Sequence, residues 1–181
     1  MKRIGFFGIT GNPPHFGHLR AAEIALNNCE EVLVSPVYKH PFNKIFIDYE
    51  YRLEMIKMMF FGLKSVSVVE IDRDFYLANK RMPYSYDLLN FIKSKDSNLS
   101  PMLIIGEDNY QPEIWKKFFN YDKIDNEFGV IAIKDSGCHS TQIRDFVKNG
   151  NWERVEKECG KKISSYLREN YIYSLGEKNE S

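Results

Sequence analysis

Hydrophobic residues fall in five short runs along the chain, and each run is nearly continuous in apolar side chains. Continuous runs of this length are typical of strands that helices cover on both faces of a parallel sheet. The predicted strands comprise residues 3–8, 31–37, 65–71, 102–107 and 128–133.

Amphipathic segments separate these runs and predict helices over residues 17–28, 49–60, 85–95 and 111–119, with further helical segments at 140–150 and 151–173. The alternation predicts an α/β fold, a Rossmann-like open parallel five-stranded sheet with helices on both faces. We assign residues 1–173 to one domain and 174–181 to a polar C-terminal tail. Ligands of such sheets bind beyond the carboxyl ends of the strands, so the loops there are the expected site.

The composition argues against proteins that bind nucleic acid or a membrane surface. Lys and Arg total 25 and so do Asp and Glu, so no overall field attracts nucleic acid or a membrane surface, and neither is expected as a partner. No stretch approaches the roughly 20 apolar residues of a membrane span. Three cysteines at spacings that suit neither a metal clip nor a disulfide framework favour reduced thiols and a cytoplasmic location. The sequence leaves open whether the chain forms a homo-oligomer.

The stretch GITGNPPHFGHL follows the first predicted strand and carries two histidines, His15 and His18. Its glycines let backbone approach a ligand, and a helix beginning near Gly17 points its free amides at the same place. Two imidazoles about one helical turn apart can face one anion, which predicts a phosphate site. The glycine spacing matches neither the dinucleotide nor the P-loop pattern, and two histidines without a third ligand are a weak zinc site. The alternative is that the histidines only cap the helix and pack.

This stretch resembles the HxGH signature of the nucleotidyltransferase superfamily, with His15, Gly17 and His18 at its defining positions. A second superfamily signature, ISSTxIR, resembles CHSTQIR at residues 138–144. Hydroxyls at a helix start and an arginine fork suit phosphate oxygens, although a plain helix cap followed by a surface arginine is the alternative.

Three stretches resemble the nicotinate-nucleotide adenylyltransferase family within that superfamily. They are residues 36–59, with an R-x-x-M helix, residues 83–89, similar to SYTxDTL, and residues 103–118, similar to IIGxD followed by a tryptophan. The closing stretch ISSYLRENYIY also resembles the family's last helix. The resemblance therefore covers nearly the whole chain.

The resemblance implies adenylyl transfer from ATP to nicotinate mononucleotide, giving nicotinate adenine dinucleotide and pyrophosphate in NAD biosynthesis. It implies Mg²⁺ bound mainly through the ATP phosphates, with no protein metal ligand named. The implied catalytic residues are His15, His18 and Arg144. The implied ATP-binding residues are Gly8, Thr10, His15, Gly17, His18, Gly106, Asp108, Ser140, Thr141 and Arg144.

The implied mononucleotide-binding residues are Lys44, Tyr84, Ser85 and Trp115. A pyridine ring needs a flat apolar surface, which the indole of Trp115 provides, although in an amphipathic helix this residue is more often part of the core. Lys44 and the nearby His40 either reach a phosphate or lie in solvent.

Several alternatives stay open. The acceptor is otherwise the amide mononucleotide or another phosphorylated acceptor such as pantetheine phosphate, or the chain is a nucleotide sensor without catalysis. Ile9 and Gly11 depart from the family's first loop, GGTFDPxH, and His139 replaces its usual serine. His139 is either a third imidazole at the triphosphate or a tolerated turn residue.

Overall fold

The computed structural model describes residues 1–39, 46–134, 137 and 139–173. All five predicted strands are present, and they form one parallel sheet in the order β3-β2-β1-β4-β5. Their bounds are Lys2–Ile9 (β1), Glu31–Pro36 (β2), Val66–Val68 (β3), Leu99–Gly106 (β4) and Val130–Ile133 (β5). The predicted fold class is confirmed.

Helices connect the strands and cover the sheet. Their bounds are Phe16–Ala25 (α1), Tyr49–Phe60 (α2), Ile71–Asn79 (α3), Ser85–Lys95 (α4), Pro112–Trp115 (α5), Tyr121–Lys123 (α6), Ser140–Lys148 (α7) and Trp152–Glu169 (α8). A π-helical turn, Ile124–Phe128, follows α6 directly. Helix α8 is broken at Gly160, where φ is +83°. Across the described residues, no helix combines the length and apolarity that crossing a membrane requires.

Two local predictions were wrong. The third strand is only three residues long, and Ile71, which we placed in it, begins the unpredicted helix α3. The two aspartates in the first turn of α3, Asp72 and Asp74, are a helix-start signal that the apolar run obscured. The helix predicted over 111–119 is the single turn α5.

The core lies on both faces of the sheet. Neighbouring strand residues point to opposite faces, so Phe6 packs in the cluster under α4 while Phe7 packs in the cluster under α1, α2, α7 and α8. Leu103 and Ile104 of β4 divide in the same way. Burial on both faces explains why each strand reads as a continuous apolar run.

The order of the strands reverses between β1 and β4. The chain moves outward in one direction from β1 to β2 and β3, then returns to place β4 and β5 on the other side of β1. The connections leaving the carboxyl ends of β1 and β4 therefore diverge, which opens a crevice at that point. The first βα loop with both histidines follows β1 into this crevice.

Candidate active site

A cavity of about 300 Å³ lies at the carboxyl ends of β1, β4 and β5. It is lined by Phe7, Gly8, Ile9, Thr10, His15, Gly17, His18, Ala21, Ile105, Gly106, Ile133, Lys134 and His139. The lining thus contains six of the ten residues predicted to bind ATP. It also joins the first loop to the end of β5 and the start of α7, which are more than 100 residues away in sequence.

His15 and His18 form one unit at the start of α1. Their ring centroids lie 3.8 Å apart, with 40° between the ring planes. The backbone N–H of His15 donates to Nδ1 of His18 at 3.2 Å, and the backbone N–H of His18 donates to the carbonyl of His15 at 2.9 Å. Since Nδ1 of His18 accepts, its Nε2 carries the proton of the neutral ring and is the donor for a ligand.

Burial, and after it the neighbouring His15, lowers the pKa of His18 to about 3. The His18 imidazole is therefore neutral at physiological pH. It can donate a hydrogen bond to a phosphoryl oxygen, but it supplies no full positive charge to a triphosphate.

Among the described residues, Lys134 brings a charged side chain to the cavity, and sequence reasoning missed it. Lys134 is exposed, follows directly after β5 and lines the cavity together with His139, the residue that precedes α7. Its position at the carboxyl end of a strand was the available signal. The structure thereby places a lysine and the ambiguous histidine in the same cavity as the HxGH pair.

Side chains of the second motif bind the backbone of the first loop, between β1 and α1. Ser140 Oγ donates to the carbonyl of Pro13 at 2.8 Å, and Arg144 Nη1 donates to the carbonyl of Asn12 at 2.7 Å. Arg144 Nη2 donates to Thr141 Oγ1 at 3.0 Å. None of these three residues lines the cavity in this structure. Ser140 and Arg144 thus contact the loop that carries the histidines, and their contact with phosphate stays a prediction.

Arg52 supports the same loop from α2. It is only 2% exposed, and it donates to the carbonyls of Ile47, Thr10 and Val37 at 2.8 to 3.0 Å. Burial lowers its pKa, since the charged guanidinium is removed from water. Arg52 thus ties the loop after β1 to the loop after β2.

Gly11 occupies the tight turn of the first loop. Its φ is +61°, and a Cβ at this position would lie 2.5 Å from Cδ1 of Ile56. Only glycine fits this left-handed, buried position. The departure of Gly11 from the family pattern is therefore accommodated by the packing of this chain against α2.

The mononucleotide residues predicted from the sequence lie beside β4. Tyr84 precedes α4 and is 45% exposed, and its ring lies 4.9 Å from that of Phe119, which is also exposed. Ser85 begins α4 and is half-buried. Asp108 is exposed just after β4, where Gly106 leaves room for its carboxylate. These residues share the carboxyl edge of the sheet with the cavity.

Trp115 is packed in the core in this structure. It is 5% exposed, its ring lies 4.9 Å from that of Phe118 and 5.1 Å from that of Tyr110, and Nε1 donates to Asp125 at 2.9 Å. Neighbouring aromatic rings cover the indole, as in the core placement that the sequence left as the alternative. A contact of Trp115 with the pyridine ring stays a prediction. Lys44 and His40 lie outside the described residues.

The described residues include no group of three or more His, Cys, Asp or Glu side chains placed to hold a metal ion. The cavity wall instead offers neutral imidazole, lysine and backbone. This donor set suits phosphate oxygens better than a bare divalent cation, which prefers carboxylate oxygens.

Comparison with known proteins agrees with this geometry. The family model described as cytidylyltransferase-like matches residues 6–168. The nicotinate-nucleotide adenylyltransferase of Bacillus subtilis is 27% identical, with 96% of this chain and 99% of that protein aligned. A Desulfotalea psychrophila protein named probable nicotinate-nucleotide adenylyltransferase is 32% identical over 92% of this chain and 79% of its own length.

Solved structures show the same fold. A Vibrio parahaemolyticus protein assigned as a nicotinate-nucleotide adenylyltransferase superposes with a TM-score of 0.78 at 24% identity, covering 96% of each chain. The nicotinic acid mononucleotide adenylyltransferase of Plasmodium falciparum, complexed with NaAD, superposes with a TM-score of 0.76 at 16% identity, covering 96% of this chain and 98% of that one. The resemblance drawn from the two signatures is confirmed.

Proposed function

This chain belongs to the cytidylyltransferase-like family and, within it, to the nicotinate-nucleotide adenylyltransferases, and from this premise we propose that it transfers the adenylyl group of ATP to nicotinate mononucleotide. The products are nicotinate adenine dinucleotide and pyrophosphate, in NAD biosynthesis. The observation that carries the proposal is the contact pair of His15 and His18 in the cavity where the strand order reverses. Such a reversal is where open α/β sheets bind nucleotides.

The reaction is an in-line displacement. A phosphate oxygen of the mononucleotide attacks the α-phosphorus of ATP, the bond from that phosphorus to the bridging oxygen breaks, and pyrophosphate leaves with the electron pair. No side chain becomes a covalent intermediate, so catalysis consists of positioning and charge stabilisation. The neutral His18 donates Nε2–H to the α-phosphoryl group, and His15 lies in ring contact beside it.

The triphosphate carries several negative charges that a neutral imidazole does not offset. Lys134 and the first amides of α1, at Gly17, line the cavity and supply positive potential there. Mg²⁺ accompanying ATP would supply further neutralisation by binding the phosphate oxygens. Asp108, after β4, is placed to accept a hydrogen bond from a ribose hydroxyl.

The acid form of the mononucleotide fits the start of α4. The backbone N–H of Tyr84 is already bound by Asp87 at 2.9 Å, so the next amides, beginning at Ser85, remain for a ligand. Amides at a helix N-terminus favour a carboxylate over a neutral carboxamide. This placement favours nicotinate over its amide. Tyr84 provides an exposed aromatic face beside these amides.

A cytoplasmic location accords with the cysteines. Cys29 and Cys159 are buried thiols, and each donates to a carbonyl of its own helical segment, Ala25 and Val155. Buried thiols of this kind suit a reducing compartment.

The test is pyrophosphate release from ATP and Mg²⁺, with nicotinate mononucleotide and its amide supplied in separate reactions. We expect a preference for the acid of about tenfold or more, which is about 1.4 kcal/mol of transition-state discrimination. The preference should disappear in His18→Ala together with the activity, while the exposed-residue variant Lys148→Met retains both. Measurable ATP binding without release from either acceptor would contradict the proposal and would favour the nucleotide sensor.

A further inference from the structure

Side chains from distant helices donate hydrogen bonds to three carbonyls of the loop between β1 and His15. The three contacts are Arg52 Nη1 to Thr10 at 2.9 Å, Arg144 Nη1 to Asn12 at 2.7 Å and Ser140 Oγ to Pro13 at 2.8 Å. A loop backbone bound in this way cannot move without breaking several hydrogen bonds at once. The loop leads directly into His15, so these bonds also limit where the imidazoles can lie.

A fourth contact comes from the far end of the described chain. The hydroxyl of Tyr173 donates to Oδ1 of Asn12 at 2.5 Å, which joins residues 161 positions apart. Asn12 is buried, so the amide oxygen that Tyr173 binds has little access to water. Tyr173 is not among the residues that line the cavity, so its hydroxyl reaches the site indirectly, through the loop that contains Asn12.

The backbone around Tyr173 is strained in a way that places this hydroxyl. Tyr171 has a φ of 53° and Tyr173 a φ of 63°, a left-handed conformation that is costly for bulky side chains. Such a conformation persists only where surrounding contacts determine it. Ile172 between them is 1% exposed in the core, and its N–H donates to the carbonyl of Leu167 at 3.0 Å. The segment is thus anchored in the core between the two left-handed residues.

We propose that Tyr173 is a positioning residue for adenylyl transfer, acting through Asn12 on the loop that orients His15 and His18. The inference rests on the proposed function. Asn12 lies three residues before His15, and small displacements of a reacting group lower the rate strongly. Tyr173 thereby makes the segment after α8 part of the structure that holds the first signature motif.

Kinetics of two tyrosine variants test the proposal. Tyr173→Phe removes only the hydroxyl, and Tyr171→Phe, two residues away at a 73% exposed side chain, is the matched control. We expect Tyr173→Phe to lower kcat about tenfold with less than about a twofold change in KM for ATP, because the histidines act on the transition state. The control should match the wild-type protein. Loss of folded protein at an unchanged kcat, or a loss of kcat as large in Tyr171→Phe, would overturn the proposal.

Substitutions of Asn12 separate the contact from the tyrosine itself. Asn12→Ala should lower kcat as Tyr173→Phe does, and the double variant should be no slower than the slower single variant. Asn12→Asp retains an oxygen acceptor for the hydroxyl of Tyr173, so it should lower kcat less than Asn12→Ala does. Additive losses in the double variant would show that the two residues act separately and would refute the coupling.

Hydrogen exchange gives a readout that does not depend on the acceptor. In Tyr173→Phe the amides of Gly11, Asn12 and residues 15–18 should exchange about tenfold faster, while those of β4 stay unchanged. If the wild-type protein turns over neither mononucleotide, the proposed function fails, and this exchange measurement still decides whether Tyr173 holds the loop. Unchanged exchange at residues 11–18 would overturn the inference even in an active enzyme.

Discussion

The neutral His18 makes the stability of the fold depend on pH in mildly acidic solution. Burial lowers the pKa of His18 to about 3 in the folded chain, whereas the ordinary value of 6.5 applies after unfolding. As pH falls below 6.5, the unfolded chain binds a proton that the folded chain does not, so the free energy of unfolding decreases. From these two values, the loss due to His18 is about 2 kcal/mol at pH 5 relative to about pH 7.5.

The measurement is urea unfolding at both pH values, followed by tryptophan fluorescence, for the wild-type protein and His18→Gln. Glutamine can accept the hydrogen bond from the His15 N–H but does not titrate. The wild-type protein should lose about 2 kcal/mol more than the variant on acidification. His139→Gln, which removes an imidazole that is exposed in the folded chain, is the control variant.

Asp72 changes the free energy of unfolding with pH in the direction opposite to His18, so every protein in the comparison must retain it. Burial raises its pKa to about 6, against the N–H of Tyr38 and the charge of Arg52, so its contribution to stability is present at low pH and is lost as pH rises through 6. Asp72 is intact in all three proteins, and its effect cancels in their differences. Equal acid losses in the wild-type protein and His18→Gln, within about 0.5 kcal/mol, would refute the reasoning.

Two further predictions concern Arg52 and Lys134. Arg52→Leu should lower the free energy of unfolding in urea by about 3 kcal/mol, because three partly buried carbonyls lose a charged donor. Lys57→Leu, on the exposed side of α2, should change it by less than about 0.5 kcal/mol, and equal effects of the two variants would contradict the assignment. Lys134→Met should raise KM for ATP about tenfold and leave KM for the mononucleotide unchanged, with Lys148→Met as the control. A parallel rise in both KM values would show that Lys134 does not act at the triphosphate.

The strands of the sheet could be predicted from the sequence, because a strand that is buried on both faces is a nearly continuous run of apolar residues. Residues 31–37 were predicted as a strand, and the structure has β2 at Glu31–Pro36. The helix predicted over 49–60 has exactly those bounds in α2, at Tyr49–Phe60. Periodicity failed at Ile71, where an apolar residue continues a hydrophobic run but starts a helix, and it failed at α5, where Trp115 packs among aromatic rings without a longer helix.

The candidate site, like the fold, was predicted only in part from the sequence. The two signatures and the loops that carry them were identified from the sequence, since the spacing of His15 and His18 and the position of a loop after a strand are local properties. The sequence could not show that Arg144 and Ser140 bind the first loop, because those partners are more than 120 residues away.

Only the tertiary structure brought Lys134 and His139 into the cavity and Tyr173 onto Asn12. These contacts depend on the strand order, on the left-handed residues near the end of the chain and on burial that no short pattern encodes. The pKa of His18 has the same origin, because desolvation is a property of the packed loop and not of the HxGH motif. The sequence by itself determined the five strands, most of the helices and the loops that carry the two signatures, because these are local patterns. The packing of distant elements decided which side chains lie against those loops.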